Sequence, residues 1–488
     1  MKTSEHFSDW SKVIVKKGSL YVLSSVITKG FAFFLMPLYT KYLSTSDYGL
    51  LSNLNAIAGV MPIFISLYID SAFGRYYFES NKNHRSLAEL FSTVYWFVFF
   101  YGGIIVLLVL LSTPFWFTQS FGIPLRPYIF ITFIPCLLNQ LAQLGSVFMM
   151  QSLDVKKRSS LDVSSTIING VVSIILLVYF KLGVESRLWG SFAAASFLLI
   201  FYTFYFVKEK ILIFFFSKTI LKKCLIYSLP LLPNIASGWI VSISDRLLIT
   251  RYSGLSASGV YSFAANLTLL LYAVQDAITQ VQGPLAMSGL IEDKDTAKLR
   301  ISKFIELSLF VMLLAHFSLA LFSREILFVI VKLGRGHMDY LEAYKYVGIL
   351  GLVNVITTQN RNFSVIISYI KKTWVLSSAG IIAAILSVVM NVTFLPRFGS
   401  VAASYIFVIS NLISLSWIVF WAQKYEPIPL RKKRIVINIF IYLVMLVVSS
   451  KYLMGTVSIA NFLVKFFIVA IYAIYLILLH TVFNKKVD

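Results

Sequence analysis

The sequence predicts an all-α integral membrane protein. About fourteen transmembrane helices form two pseudo-symmetric six-helix lobes, a parallel repeat, with an extra helix pair at the C-terminal end. Three observations predict this. The 488 residues are 58% hydrophobic and 13% charged, with mean hydropathy +0.81, whereas soluble domains are about 45–50% apolar and about 25% charged. Apolar segments of roughly 20 residues, enough to cross a hydrocarbon core of about 30 Å, recur along the chain. Finally, "TKYLSTSDYGLLS" (40–52) and "TRYSGLSASGVYS" (250–262) align without a gap at an offset of 210 residues.

The spans follow in order. The first loop copy joins span 1 (18–41) to span 2 (47–70), and spans 3 (88–112) and 4 (127–150) follow. "DVKKRSS" precedes span 5 (158–180), and "YFKLGVESRLWGSFAA" leads from it into span 6 (187–207). "VKEK" and "KTILKK" separate that lobe from span 7 (223–247), which the second loop copy joins to span 8 (257–282). "DKDTAKLRISK" precedes span 9 (303–331); spans 10 (345–370) and 11 (373–395) follow. "LPRFGSVAASY" opens span 12 (400–423), and "PLRKKR" precedes spans 13 (435–453) and 14 (459–482). The repeat offset therefore equals six spans. An even number gives both halves one orientation, a repeat about an axis along the membrane normal. Domain boundaries are expected at 1–210, 211–425 and 426–488. Pro37, Pro62, Pro135, Pro230 and Pro233 weaken several spans, as is tolerated where protein or a water-filled cavity surrounds the break.

The net charge of +22 is a topology signal. With a cytoplasmic N-terminus, about 28 Lys and Arg fall inside and about 11 outside, leaving Lys29, Arg324, Arg361 and Lys465 within spans. Both termini are expected in the cytoplasm, and nucleic acid is not an expected partner. Cys136 and Cys224 indicate no disulfide framework. The N-terminus lacks a cleavable signal pattern, so span 1 is expected to remain in the mature protein.

"YSLPLLPNIASGWIVSISDRLLITRYSGLSASGVYSFAAN" (227–266) carries Leu229, Pro230, Trp239, Asp245, Arg246, Gly259, Val260, Tyr261 and Ser262, and "NVTFLPRFGSVAASY" (391–405) carries an Asn…Leu-Pro-x-x-Gly-x-x-Ala-Ala turn. These stretches resemble polysaccharide (O-antigen) repeat-unit flippases of the multidrug/oligosaccharidyl-lipid/polysaccharide exporter superfamily. The resemblance implies two lobes around a V-shaped cavity opening alternately to each side of a bacterial inner membrane. It implies as substrate an undecaprenyl diphosphate carrying a short oligosaccharide, for O-antigen, capsule or exopolysaccharide assembly. Implied partners are membrane lipids and a polysaccharide polymerase with its chain-length regulator.

Ionisable residues at membrane depth are costly unless they face the bundle interior or water. Lys29, mid-span 1, shares a helix side with Tyr21, Ser25 and Thr28 and is expected to meet the lipid diphosphate; pairing with a buried acid, or snorkelling, is the structural alternative. At the repeat offset stands Trp239, a sugar-stacking or packing face. Arg361 lies in "TTQNRNF" with Gln359 and Asn360, while Asn139, Gln140 and Gln143 lie at similar depth in span 4. Polar clusters in both lobes suggest a hydrated cavity, and the planar fork of arginine suits diphosphate. Arg75, after span 2, and Arg246, after Asp245, are further candidate phosphate contacts; Arg75 also reads as a positive-inside residue and Arg246 as a structural contact with a neighbouring loop. Transport against a gradient would need Na+ or H+ coupling. Asp276, Asp70 and Glu306 are the candidate carboxylates, Asp276 foremost because no basic residue stands three or four positions away. Glu306 has Lys303 three positions before it and Asp162 has Arg158 four before, as in ordinary helix pairs. His316 reads as a satisfied buried histidine, and Lys465 as close enough to the outer face to snorkel.

No cofactor or metal is expected. The five histidines lack metal-ligand spacing, and neither a P-loop nor a nucleophile elbow occurs. The chain is therefore read as a transporter, not an enzyme. Rival readings are a lipid II flippase, a drug/cation antiporter, whose cavity should be dominated by carboxylates, and an integral-membrane polymerase or glycosyltransferase.

Overall fold

A computed structural model describes residues 28, 30–31, 33–81, 83–121, 128–152, 154–279, 294–453 and 458–484, and every regular element among them is helical. In order these are α1 (Met36–Tyr42), α2 (Thr45–Ser66), α3 (Ile69–Ser80), α4 (His84–Phe121), α5 (Tyr128–Gln151), α6 (Val155–Val178), α7 (Val184–Lys208), α8 (Lys218–Ser228), α9 (Leu232–Leu267), α10 (269–279), α11 (Lys294–Gly334), α12 (Tyr344–Tyr369), α13 (Trp374–Phe398), α14 (Ser400–Tyr425), α15 (Lys432–Leu453) and α16 (Ile459–Asn484). Predicted spans 2 to 14 each fall on these helices, while span 1 lies mostly outside the described residues. Ten helical stretches among the described residues are long and apolar enough to cross a membrane; one, 218–279, holds both predicted spans 7 and 8.

Three predicted spans are broken. Span 8 turns at Thr268, between α9 and α10. Span 2 is divided between α2 and α3, where Leu67 and Tyr68 both take left-handed backbone, φ 51° and 57°. Span 7 begins as α8, passes through a 3-10 turn at Leu229–Leu231 that contains Pro230, and continues as α9. Proline has no N–H to continue the ladder.

The repeated loop is a repeated helix break. In the first copy Ser44 ends α1 and caps α2: its side chain accepts from the Asp47 amide at 3.1 Å, and its own amide donates to Asp47 Oδ2 at 3.0 Å. This reciprocal capping box satisfies two otherwise unpaired amides. At the offset of 210, Gly254 interrupts α9 with φ 88° and ψ 168°. Ala257 replaces Asp47 there, so no capping box forms. Glycine supplies the break by backbone freedom instead, and Ser258 Oγ donates to the Arg246 carbonyl at 3.1 Å. The fainter echo is also realised: Gly183 and Gly399, φ 52° and 68°, open α7 and α14.

Contacts group the chain into two compact units. One comprises Tyr42–Trp239 with the described residues up to Met36; the other comprises Ile240 onward with Pro37–Lys41. In the first unit α5 packs on α7, α2, α4 and α3. Its core is aromatic: the Phe91 ring lies 4.5 Å from Phe206 and 5.6 Å from Phe73, and Phe148 joins all three. Residues 211–239 pack with this unit, held by Trp96 Nε1 donating to the Ile213 carbonyl at 3.0 Å.

In the second unit α12 packs against α14 and α11, and α13 against α14. The long α11 also carries the C-terminal pair α15 and α16, through polar contacts at three heights. Arg434 Nε lies 2.7 Å from Glu306 Oε1. His316 bonds the Gly348 carbonyl through Nε2 at 2.7 Å and Tyr442 OH through Nδ1 at 2.5 Å. A carbonyl only accepts, so Nε2 carries the proton and Nδ1 accepts from tyrosine. Lys465 Nζ donates to Glu325 Oε1 at 2.5 Å. Two sequence expectations are corrected here. Glu306 pairs with Arg434, not Lys303. Lys465 does not snorkel: it is fully buried, because a carboxylate on α11 meets it inside the bundle.

Candidate functional site

The polar run of α12, Thr357 to Asn362, turns three ways because successive helical residues are about 100° apart. Toward α11, Asn362 Nδ2 donates to Ser308 Oγ at 2.8 Å and to Gln359 Oε1 at 3.1 Å, and Gln359 Nε2 reaches Ser308 Oγ at 3.4 Å. Toward α14, Asn360 Nδ2 donates to Ser414 Oγ at 3.2 Å. Toward α10, Gln275 Nε2 donates to Thr357 Oγ1 at 3.1 Å. These amides and hydroxyls lock helices together; Gln359 and Asn360 are interhelical glue.

Arg361 differs. Its side chain is 43% exposed, eight residues and therefore about 12 Å of helix from the end of α12. Nη1 lies 3.4 Å from Asp276 Oδ1 and 3.5 Å from Thr279 Oγ1, and Nη2 donates to Tyr272 OH at 3.2 Å. The Tyr272 ring centroid is 5.5 Å from the guanidinium carbon, within cation–π range. All three partners lie on one face of α10. Strong charge-assisted bonds are about 2.7–2.9 Å, so this guanidinium is tethered rather than locked. It remains able to present donors to an anion.

The other predicted residues are dispersed. Lys29 and Ser25 lie outside the described residues, and Thr28 is half-buried. Arg75 is exposed on α3 and bonds Glu79 at 3.1 Å, which also takes Lys223 at 3.3 Å. Gln140 is buried in α5, whereas Gln143 is exposed. Trp239 is half-buried in α9. Arg246, half-buried, uses its carbonyl to accept from Thr250 and Ser258. Among the coupling candidates, Asp276 and Glu306 each meet an arginine. Asp70 is buried in the first turn of α3, beside the Leu67–Tyr68 break, and its Oδ1 has no hydrogen-bond partner among the described residues. Asp162 pairs with Arg158 at 3.8 Å.

Sequence reasoning missed one cluster. Asp245 is 1% exposed; Tyr261 OH donates to its Oδ2 at 2.8 Å and Asn391 Nδ2 to its Oδ1 at 2.7 Å. The signal was available, since all three stand in the two quoted motif stretches, 146 residues apart between Asp245 and Asn391. A motif read as two local patterns is one buried carboxylate site in space. Among the described residues no group of three or more His, Cys, Asp or Glu is placed to hold a metal ion.

Comparison with known proteins now bears on this geometry. A family profile described as "Polysaccharide biosynthesis protein" matches residues 39–341. A curated relative, an uncharacterized membrane protein of Haemophilus influenzae, is 24% identical over 288 residues, 57% of this chain; the chain spans 66% of that relative's length. Among solved structures, the lipid II flippase MurJ in an inward closed conformation superposes with a TM-score of 0.71 at 15% identity, covering 97% of this chain and 99% of that one. An inward-facing multidrug resistance MATE family transporter of the MOP superfamily gives 0.67 at 12% identity, covering 82% and 94%. At such identities the likeness is one of fold: the predicted all-α membrane architecture is the one these transporters share.

Proposed function

From the premise that this chain belongs to the polysaccharide biosynthesis protein family, we propose that it is a flippase, not an enzyme. It moves undecaprenyl-diphosphate-linked oligosaccharide repeat units across a bacterial inner membrane by alternating access, for O-antigen, capsule or exopolysaccharide assembly. The observation that carries this reading is Arg361: an exposed, loosely held guanidinium in the middle of a polar-faced helix. A diphosphate leaving water needs compensating positive charge, and Arg361 offers it in planar, paired form. Lys29 is the proposed second cation.

Only a ligand with different affinity for two states can bias them, so uphill transport needs a coupled ion as well. Of the three carboxylates named from sequence, Asp276 and Glu306 are each beside an arginine. Buried Asp70, with an unbonded oxygen next to a helix break, is the proposed H+ or Na+ site. Polysaccharide polymerase and chain-length regulator are proposed partners.

Movement of lipid II is the second reading, favoured by the fold likeness to MurJ. A drug/cation antiporter is disfavoured because the accessible charge on α12 is a cation. The test uses two bacterial strains, one lacking its repeat-unit flippase and one depleted of its lipid II flippase. Rescue of surface polysaccharide in the first, abolished by Arg361→Gln at normal membrane levels, is expected. Rescue of the second strain alone would replace the proposal with the lipid II reading.

A further inference from the structure

We infer that Asp276 is a built-in counter-anion of the Arg361 site, displaced by the incoming diphosphate and restored to the guanidinium when the diphosphate leaves. The inference rests on Arg361 being the phosphate contact and adds how that contact is released.

Three observations carry it. The pair is built unlike the other intramembrane acid–base pairs of the same unit. Lys465–Glu325 is 2.5 Å long with side chains 0% and 10% exposed, and Arg434–Glu306 is 2.7 Å and nearly as buried. Arg361–Asp276 is 3.4 Å long with side chains 43% and 22% exposed. The first two are covered by protein; the third is not.

Next, the guanidinium keeps its seat when the carboxylate is exchanged. Tyr272 OH accepts from Nη2, and Thr279 Oγ1 lies beside Nη1. Both are neutral, so they orient Arg361 without competing for its charge. Finally, helix packing does not depend on the pair. Gln275–Thr357 ties α10 to α12, and Asn362–Ser308 and Asn360–Ser414 tie α12 to its other neighbours.

The chemistry follows. A carboxylate carries one negative charge; a diphosphate carries more and matches the arginine fork in bidentate fashion. It therefore wins the exchange on entry. On exit the tethered carboxylate reoccupies the guanidinium, so the cation need not be left bare. The counter-anion weakens binding and speeds release.

The test uses purified full-length protein with undecaprenyl diphosphate as probe, measuring lipid affinity and, in proteoliposomes, its translocation rate at saturation. Asp276→Asn keeps size and hydrogen bonding but loses charge. It is expected to bind the lipid about 5-fold more tightly, the scale of one partly exposed ion pair, and to turn over more slowly. The gain should vanish in Arg361→Gln/Asp276→Asn. Weaker or unchanged binding in Asp276→Asn, with Arg361→Gln binding poorly, would overturn the counter-anion while leaving Arg361 as the phosphate contact. If Arg361→Gln binds like wild type, the phosphate contact falls and the inference falls with it.

Discussion

Replacing Lys465 with methionine removes an ammonium but keeps an apolar stem, and the structure sets what that costs. Lys465 is fully buried in α16, with its nitrogen 2.5 Å from Glu325 Oε1 on α11. Stranding one member of such a pair costs about 3–5 kcal/mol. The second oxygen, Oε2, is buried without a hydrogen-bond partner among the described residues, so the pair is incompletely compensated. That places the loss near the low end, about 3 kcal/mol, on the order of a 100-fold shift toward the unfolded state. For the same reason, replacing both residues with methionine should return stability to within about 1 kcal/mol of wild type. The assay is equilibrium unfolding of the detergent-solubilised full-length protein for the wild type, both single variants and the double variant. Surface polysaccharide is scored alongside; the double variant should still support it, since the pair anchors helices and touches no proposed phosphate contact. A Lys465→Met protein within 1 kcal/mol of wild type would refute the reasoning, for that is what a snorkelling lysine gives. A double variant as unstable as the single would refute it too.

Three further outcomes are expected. Lys29→Ala and Lys29→Gln should sharply reduce surface polysaccharide at normal membrane levels while Lys29→Arg retains part; wild-type output from Lys29→Gln would remove Lys29 from the site. Asp70→Asn should abolish the dependence of vesicle transport on an ion gradient; unchanged dependence would clear Asp70 of coupling. Glu426, just past α14, is opposed as an anion by burial, but bonds at 2.8 and 2.5 Å from Lys294 and Lys298 outweigh this and hold its pKa below the ordinary 4.5. Its contribution is present above pH 4.5 and fades as pH falls through the lowered value; unfolding free energies of wild type and Glu426→Gln, measured across pH, should therefore converge below that value and separate above it.

The helices were legible because hydrophobic length and basic loops are local signals, and the repeat because it preserves a break at Ser44 and Gly254. Arg361 was legible because a charge in an apolar run stands out by itself. Its counter-ion was not: Asp276 looked isolated on its own helix, and its partner is 85 residues away. Lys465 with Glu325, 140 residues apart, and Asp245 with Asn391, 146 apart, fail for the same reason. Single-helix spacing carries no information about which faces oppose each other in the bundle. Lys303 was preferred for Glu306 because it lies three residues away, yet α15 brings Arg434 to 2.7 Å.

The grouping of Pro37–Lys41 with the second unit sets a clock for biogenesis. The Thr40 carbonyl accepts from the His337 amide at 3.0 Å. A side chain at Gly334 would stand 2.1 Å from the Pro37 carbonyl oxygen, so the two backbones touch directly. Nearly 300 residues separate them in the chain. At about 5–20 residues per second of synthesis, α1 waits roughly 15 to 60 s for the strip of α11 that receives it. A nascent chain cut anywhere before residue 334 leaves that segment without its berth. A chain split near residue 240 would carry this short segment on its first piece and the strip of α11 that receives it on its second.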